Sequence, residues 1–359
     1  LERDAKLRTE FNITSGFKNE DIPRIKYKSK MKEFYTKAGI PVARYHLVDN
    51  LENCLAFAKE VGYPIVAKPD NGVGASHTFK LKNDDDLKNF FNEKWAPIEK
   101  ALPIVSILTL SATGSEMDPM AVITNTELNL KYGVGSNLFI PKFSILDPTY
   151  TYSVPASQTA AGTADIMSHV FESYFTLGDG AYLINRLAEG ILQTCIHYAP
   201  IAIKEPENYE ARANLMWASS QAINGLLKNG KATPWSVHAM EHALSAYFDV
   251  THGVGLAILT PVWMEYILND DTVQMFAEYG WNVWHLDRSA DKWATAREAI
   301  AKTREFFASL NIPMTLHELN IPEDMLETMA KNAPKGGDTI HGVVPLHWTD
   351  VLEIYKRAY

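Results

Sequence analysis

The chain has 359 residues, 46% of them hydrophobic and 21% charged, with a formal net charge of -9. That composition supplies a globular core and material for about two to three domains. Its basic residues form no block and no stretch approaches the ~20 apolar residues of a membrane helix, so neither nucleic acid nor a membrane is expected as a partner.

The opening Leu1-Glu2-Arg3-Asp4 is charged where a signal peptide would be apolar, which predicts a cytoplasmic protein. The chain lacks an initiator Met and begins inside a charged, helical-looking segment, the pattern of a fragment. Lys28 to Lys37 reads as a helix stopped by Ala38-Gly39-Ile40-Pro41, and Ala43 to Val48 alternates like a strand. Leu51 to Val61 reads as a helix, Ile65 to Lys68 as a short buried strand, Asp70 to Ser76 as a glycine-bearing loop, and Thr78 to Leu81 as a strand. Character changes across residues 93–103, where a domain boundary is placed. Beyond it Ile104 to Leu110 and Ala121 to Thr124 read as strands, and from Pro155 onward amphipathic helices dominate. Cys54 and Cys195 stand far apart without Cys-x-x-Cys spacing, so buried free thiols are expected.

Chemistry concentrates in the helical region. Asp165 and His169 lie at i and i+4, so a helix puts both on one face. His238 and His242 repeat that spacing, and His252 follows after a turn. Imidazoles with one carboxylate suit Fe(II) or Zn(II), and with four protein ligands a remaining position is open to a substrate oxygen. Spacing alone fits solvated or hydrogen-bonded histidines as well. Glu172 and Glu241 fit either acceptors that orient imidazole N–H groups or exposed helix carboxylates.

Ala112-Thr113-Gly114-Ser115-Glu116, Leu146-Asp147-Pro148, the Asp165/His169 pair and His238-x-x-x-His242 ending at His252-Gly253 occur in one order over Trp95 to Tyr359. In that order they resemble the iron-containing alcohol dehydrogenases. Trp217, Gly225 and Trp235 to Leu256 are similar to the butanol dehydrogenase and NADPH-dependent aldehyde reductase branch. The resemblance implies that Asp165, His169, His238 and His252 hold one ion and that His242 lies beside the nicotinamide as the catalytic residue. It implies that Thr109, Thr113, Gly114, Ser115 and Lys131 contact the cofactor, NAD(H) or NADP(H). A divalent ion of fixed oxidation state would then polarise a small aldehyde or stabilise its alkoxide as hydride moves, with His242 relaying the proton.

The family pattern also includes a Gly-Gly-Gly-Ser loop that cradles the pyrophosphate, and no such run occurs in these 359 residues. Residues 1–94 instead resemble part of an ATP-grasp protein, through Lys32, Gly62-Tyr63-Pro64-Ile65-Val66-Ala67-Lys68-Pro69 and Gly72-Val73-Gly74-Ala75-Ser76. That resemblance implies ATP contacts from Lys32 and Lys68, without the later acidic and Asn residues that hold Mg2+. The expected architecture is an α/β fragment (1–94), a remnant of a dinucleotide-binding domain (95–154) and a mainly α-helical metal-binding domain (155–359). A small-molecule oxidoreductase, forming a homo-oligomer, is the leading expectation. An ATP-grasp ligase and a non-catalytic binding remnant are the alternatives.

Overall fold

The structure, a computed structural model, describes residues 2–70, 78–91, 100–127, 129–176, 180–335 and 337–359. The chain divides into two units, Leu1–Glu99 and Lys100–Tyr359. In the first, α1 (Glu2–Glu10), α2 (Ile22–Lys26), α3 (Lys28–Lys37) and α4 (Leu51–Val61) precede β1 (Ile65–Ala67), β2 (Phe79–Leu81) and α5 (Asp84–Asn89). The Asn50 side chain accepts from the Asn53 N–H to start α4, and that of Asn83 accepts from Asp86 N–H to start α5. A small core of Cys54, Ala58, Leu81, Leu87 and Phe90 sits against antiparallel β1 and β2.

The second unit opens with β3 (Val105–Ile107), the β4–β5 hairpin (Met120–Asn125 and Leu130–Gly135) and β6 (Phe143–Ile145), which pairs in parallel with β3. Among the described residues nine helices follow: α6 (Ala156–Tyr174), α7 (Tyr182–Lys204), α8 (Tyr209–Ile223), α9 (Ser236–Phe248), α10 (His252–Ile267), α11 (Val273–Asn282), α12 (Lys292–Ser309), α13 (Leu326–Asn332) and α14 (Trp348–Arg357). A two-residue ladder of β7 (Thr339–Ile340) and β8 (Leu346–His347) precedes α14.

Helix α6 is the axis of this unit. From Thr159 to Tyr174 every residue is buried, and α7, α8 and α10 pack around it. Its small residues allow that approach, while Phe171 and Phe175 join Trp263, Phe276 and Tyr279 in an aromatic core. The Lys231 ammonium donates to the Ser173 and Tyr174 carbonyls, closing the helix end. Among the described residues no helix is long and apolar enough to cross a membrane. Both cysteines are buried and free, as expected.

Three strand expectations need correction. Ala43 to Val48 forms no strand, because alternation becomes a strand only where a neighbour takes its hydrogen bonds, and no described residue pairs with it. Strand β1 is shorter than expected and is not buried: Val66 is 56% exposed, since the described sheet there has two strands and one open face. The strand foreseen over Ile104 to Leu110 contracts to β3, with Val105 and Ile107 exposed. The loop Gly72 to Ser76 and most of the proposed boundary lie outside the described residues.

At Gly253, an added Cβ would lie 1.9 Å from the Ala161 carbonyl oxygen of α6, so α10 can approach α6 only with glycine there. Gly253→Ala is expected to cost about 1–3 kcal/mol through overpacking. A urea unfolding midpoint equal to that of the parent chain would contradict this close contact.

Candidate metal centre

Asp165 and His169 occupy successive turns of α6, His238 the first turn of α9 and His252 the first residue of α10. From Asp165 Oδ1 the distances are 3.4 Å to His169 Nε2, 3.7 Å to His252 Nε2 and 4.0 Å to His238 Nε2. Asp165, His238 and His252 each place one donor atom within 4.8 Å of the other two, and His169 reaches this group through Asp165; a tetrahedral ion with ligand bonds of about 2.1 Å separates its donors by about 3.4 Å, so the side chains draw inward to hold one. Asp165 Oδ1 and His238 Nε2 are also buried without a hydrogen-bond partner. Such atoms are costly unless something completes them. A divalent cation does so for both, and the nitrogen–oxygen donor set fits Fe(II) or Zn(II).

Two buried glutamates orient the rings. Glu172 Oε1 accepts from His238 Nδ1 at 3.2 Å and from the Val237 and His238 amides, while Oε2 accepts from the Ser236 amide at 2.8 Å. A carboxylate engaged as an acceptor on all these bonds places the His238 proton on Nδ1, leaving Nε2 its lone pair. Glu241 does the same for His252: it accepts from Nδ1 and from the Ser245 hydroxyl. Burial pushes Glu172 up to about 7, against the downward pull of the three amides. Burial lowers His169 and His238, so both are neutral donors. At His252 burial acts in the same direction, but the charge and hydrogen bond of Glu241, with Asp165, leave the ring raised. Trp235 closes one side, its ring edge-on to His169 and His238.

His242 stands one turn beyond His238, stacked on His252 at 5.6 Å between ring centroids. Burial, followed by Lys335, His252 and Lys131, pushes it down to about 2. Its Nδ1 is 2.7 Å from Lys335 Nζ, and Lys131 Nζ lies 4.0 Å from Glu241 Oε2. Glu241, His242 and His252 also bring three donor atoms within 4.8 Å of one another. The two ammonium groups beside them already supply positive charge, which disfavours a second cation there.

The other candidates separate into groups. Thr109, Thr113 and Ser115 are exposed, while Gly114 is buried at φ +62, where a Cβ would meet Ile223 and the Ser219 carbonyl. Ser219 donates to the Ala112 carbonyl and Ser220 to Glu116, so this turn is pinned to α8 with its hydroxyl residues outward. Lys131 lies beside Glu241 at the candidate metal centre, 4.0 Å from its Oε2. In the first unit, Lys32 donates to the Ala43 carbonyl and lies over the Tyr45 ring. Burial and then Lys68 lower it, which puts the two lysines in one neighbourhood. Sequence reasoning missed Lys335 and the burial of the carboxylates Glu116 and Asp118. None of the three carries a periodic signal; Asp118 Oδ1 and Glu116 Oε2 have no hydrogen-bond partner.

Residues 159–359 match the "Fe-containing alcohol dehydrogenase family, C-terminal" and residues 75–148 match "Iron-containing alcohol dehydrogenase". Residues 24–105 match the "Carbamoyl-phosphate synthase L chain, ATP binding domain". NADH-dependent butanol dehydrogenase A of Clostridium acetobutylicum is 62% identical over 73% of this chain and 68% of its own length. The NADPH-dependent aldehyde reductase YqhD of Escherichia coli is 38% identical over 73% of this chain and 66% of its own. The crystal structure of NADH-dependent butanol dehydrogenase A from Thermotoga maritima superposes with a TM-score of 0.70 at 35% identity, covering 76% of this chain and 70% of that one.

Asp118 yields a pH test. Burial raises its carboxyl from 3.8 to about 6, opposed by Lys228 and the Met120 amide and reinforced by Glu116. A carboxyl raised on folding favours the native state below its unfolded pKa, and that stability is lost as pH rises through about 4 to 6. Asp118→Asn should therefore gain up to about 3 kcal/mol relative to the parent between pH 4 and pH 7. Parallel pH-stability curves for the two chains would rule this out.

Proposed function

The chain belongs to the iron-containing alcohol dehydrogenase family, and on that premise we propose that it interconverts small primary alcohols and aldehydes, such as butanol and butanal, with a nicotinamide as hydride carrier. The observation that carries this reading is the convergence of Asp165, His169, His238 and His252, with Asp165 Oδ1 and His238 Nε2 buried and unpartnered between them. NADH is the proposed reductant, because two Clostridium relatives named for it are 62% and 58% identical, against 38% for the NADPH-dependent reductase. Ferrous iron or zinc is the proposed ion. When bound, it supplies the positive charge that polarises a carbonyl oxygen and offsets the negative charge arriving with hydride. The ATP-grasp alternative is not favoured, since the relatives that span most of the chain are dehydrogenases.

The protein's own groups prepare that charge. Glu172 and Glu241 hold protons on Nδ1 of His238 and His252, so the Nε2 lone pairs turn toward Asp165. Trp235 and the surrounding helices keep water from the buried side. His242, neutral and beside His252, exchanges the proton that balances hydride transfer. Thr109, Thr113, Gly114, Ser115 and Lys131 are proposed to meet the cofactor. The proposed division is an ATP-grasp-like part over 1–94 that retains nucleotide contacts from Lys32 and Lys68, a remnant of the dinucleotide domain over 95–154, and the metal domain over 155–359. Two buried free thiols fit a cytoplasmic protein.

One divalent ion per chain is expected from elemental analysis. Asp165→Asn and His252→Ala should each lose it, whereas His242→Ala should keep it and slow turnover. Full occupancy in both ligand variants would refute the assignment. Cofactor affinity gives a second test, because the Gly-Gly-Gly-Ser run is absent from the chain. Hydrogen bonds to charged groups contribute about 1.5–3 kcal/mol each, so losing two costs about 3–6 kcal/mol. Affinity for NADH should then fall roughly a hundredfold to ten-thousandfold below that of an intact relative. Low-micromolar binding in a fluorescence titration would show that other residues rebuild the pyrophosphate site.

A further inference from the structure

We propose that Lys335 is a positioning residue for His242, fixing its ring as the tautomer protonated at Nε2. The direct observation is the 2.7 Å contact between Lys335 Nζ and His242 Nδ1. An ammonium can only donate, so Nδ1 must accept and the ring proton must sit on Nε2. This is the reverse of His238 and His252, whose Nδ1 atoms donate to glutamates. The three clustered imidazoles of α9 and α10 are thereby sorted by their partners. A carboxylate makes Nε2 a lone-pair donor at His238 and His252, and an ammonium makes Nε2 a proton donor at His242.

Backbone geometry gives independent support. Lys335 is held at φ +44, in the left-handed region that side-chain-bearing residues seldom adopt. Such strain clusters at working sites and persists where surrounding contacts impose it. Those contacts are visible: the ammonium also lies 5.2 Å from the centre of the Tyr132 ring on β5, the strand that carries Lys131 and packs against α9. His252 stacks on the His242 ring at an interplanar angle of 29° and sets its plane. Plane and tautomer are thus fixed by different neighbours.

The kinetic part of this inference rests on the dehydrogenase reading, but the tautomer does not. The test uses the full chain with 15N-labelled histidine, zinc-loaded and chelator-stripped, with the His242 signals identified by their loss in His242→Gln. The parent should show His242 protonated at Nε2. Lys335→Met should shift proton population toward Nδ1 and lower kcat for butanal roughly 10- to 100-fold, with zinc content and KM for butanal unchanged. Lys335→Arg, which restores a donor, should recover the tautomer and most of kcat. A parent chain with His242 protonated at Nδ1, or a Lys335→Met ring unchanged from the parent, overturns the inference. If the parent turns over no aldehyde, the proposed function fails while the ring nitrogens still decide the role of Lys335.

Discussion

The Glu172 carboxylate is the contact on which the centre depends. Helix α9 begins at Trp235, whose backbone is at φ +59 and whose side chain offers no cap. Three amides at the start of the helix would be orphaned inside the core. Glu172, from the last full turn of α6, accepts from all three and from His238 Nδ1. Its negative charge also meets the positive end of the α9 dipole. One side chain therefore sets where α9 starts, at what height it meets α6, and which nitrogen of His238 is available. Because α9 also carries Glu241 and His242, the orientation of His252 follows from the same docking.

This coupling explains what was legible in the sequence. Asp165 with His169 and His238 with His242 were readable because a helical period of 3.6 turns an i, i+4 spacing into adjacency. Helix α4 was readable to the residue, since Asn50 caps it and Gly62 ends it. The convergence of α6, α9 and α10 was not readable from spacing, and came from the order of motifs shared with a family. Glu172 fits in sequence either a ring-orienting acceptor or an exposed helix carboxylate, and spacing does not choose between them, because its partners lie 64 to 66 residues away. Lys335 is 93 residues from His242 and belongs to no pattern. The strand readings over Ala43 to Val48 and Ile104 to Leu110 overran because period-two alternation says nothing about whether a partner strand exists.

β3 and β6 expose Val105, Ile107, Phe143 and Ile145, and the hairpin exposes Val122 and Ile123. Apolar alternation normally faces a covering layer. The chain spans 68% of the length of its Clostridium relative.

Exposure differs sharply among the four candidate ligands. The side chains of Asp165, His169 and His238 are 4%, 6% and 7% exposed, whereas His252 is 26% exposed. The first three are closed in among the helices around α6, and His252 is the one of the four that meets solvent. An ion in exchange with solution would therefore pass the His252 side of the cluster. Loading and loss would behave as a gated local step, fast relative to unfolding and sensitive to whatever holds His252 in place.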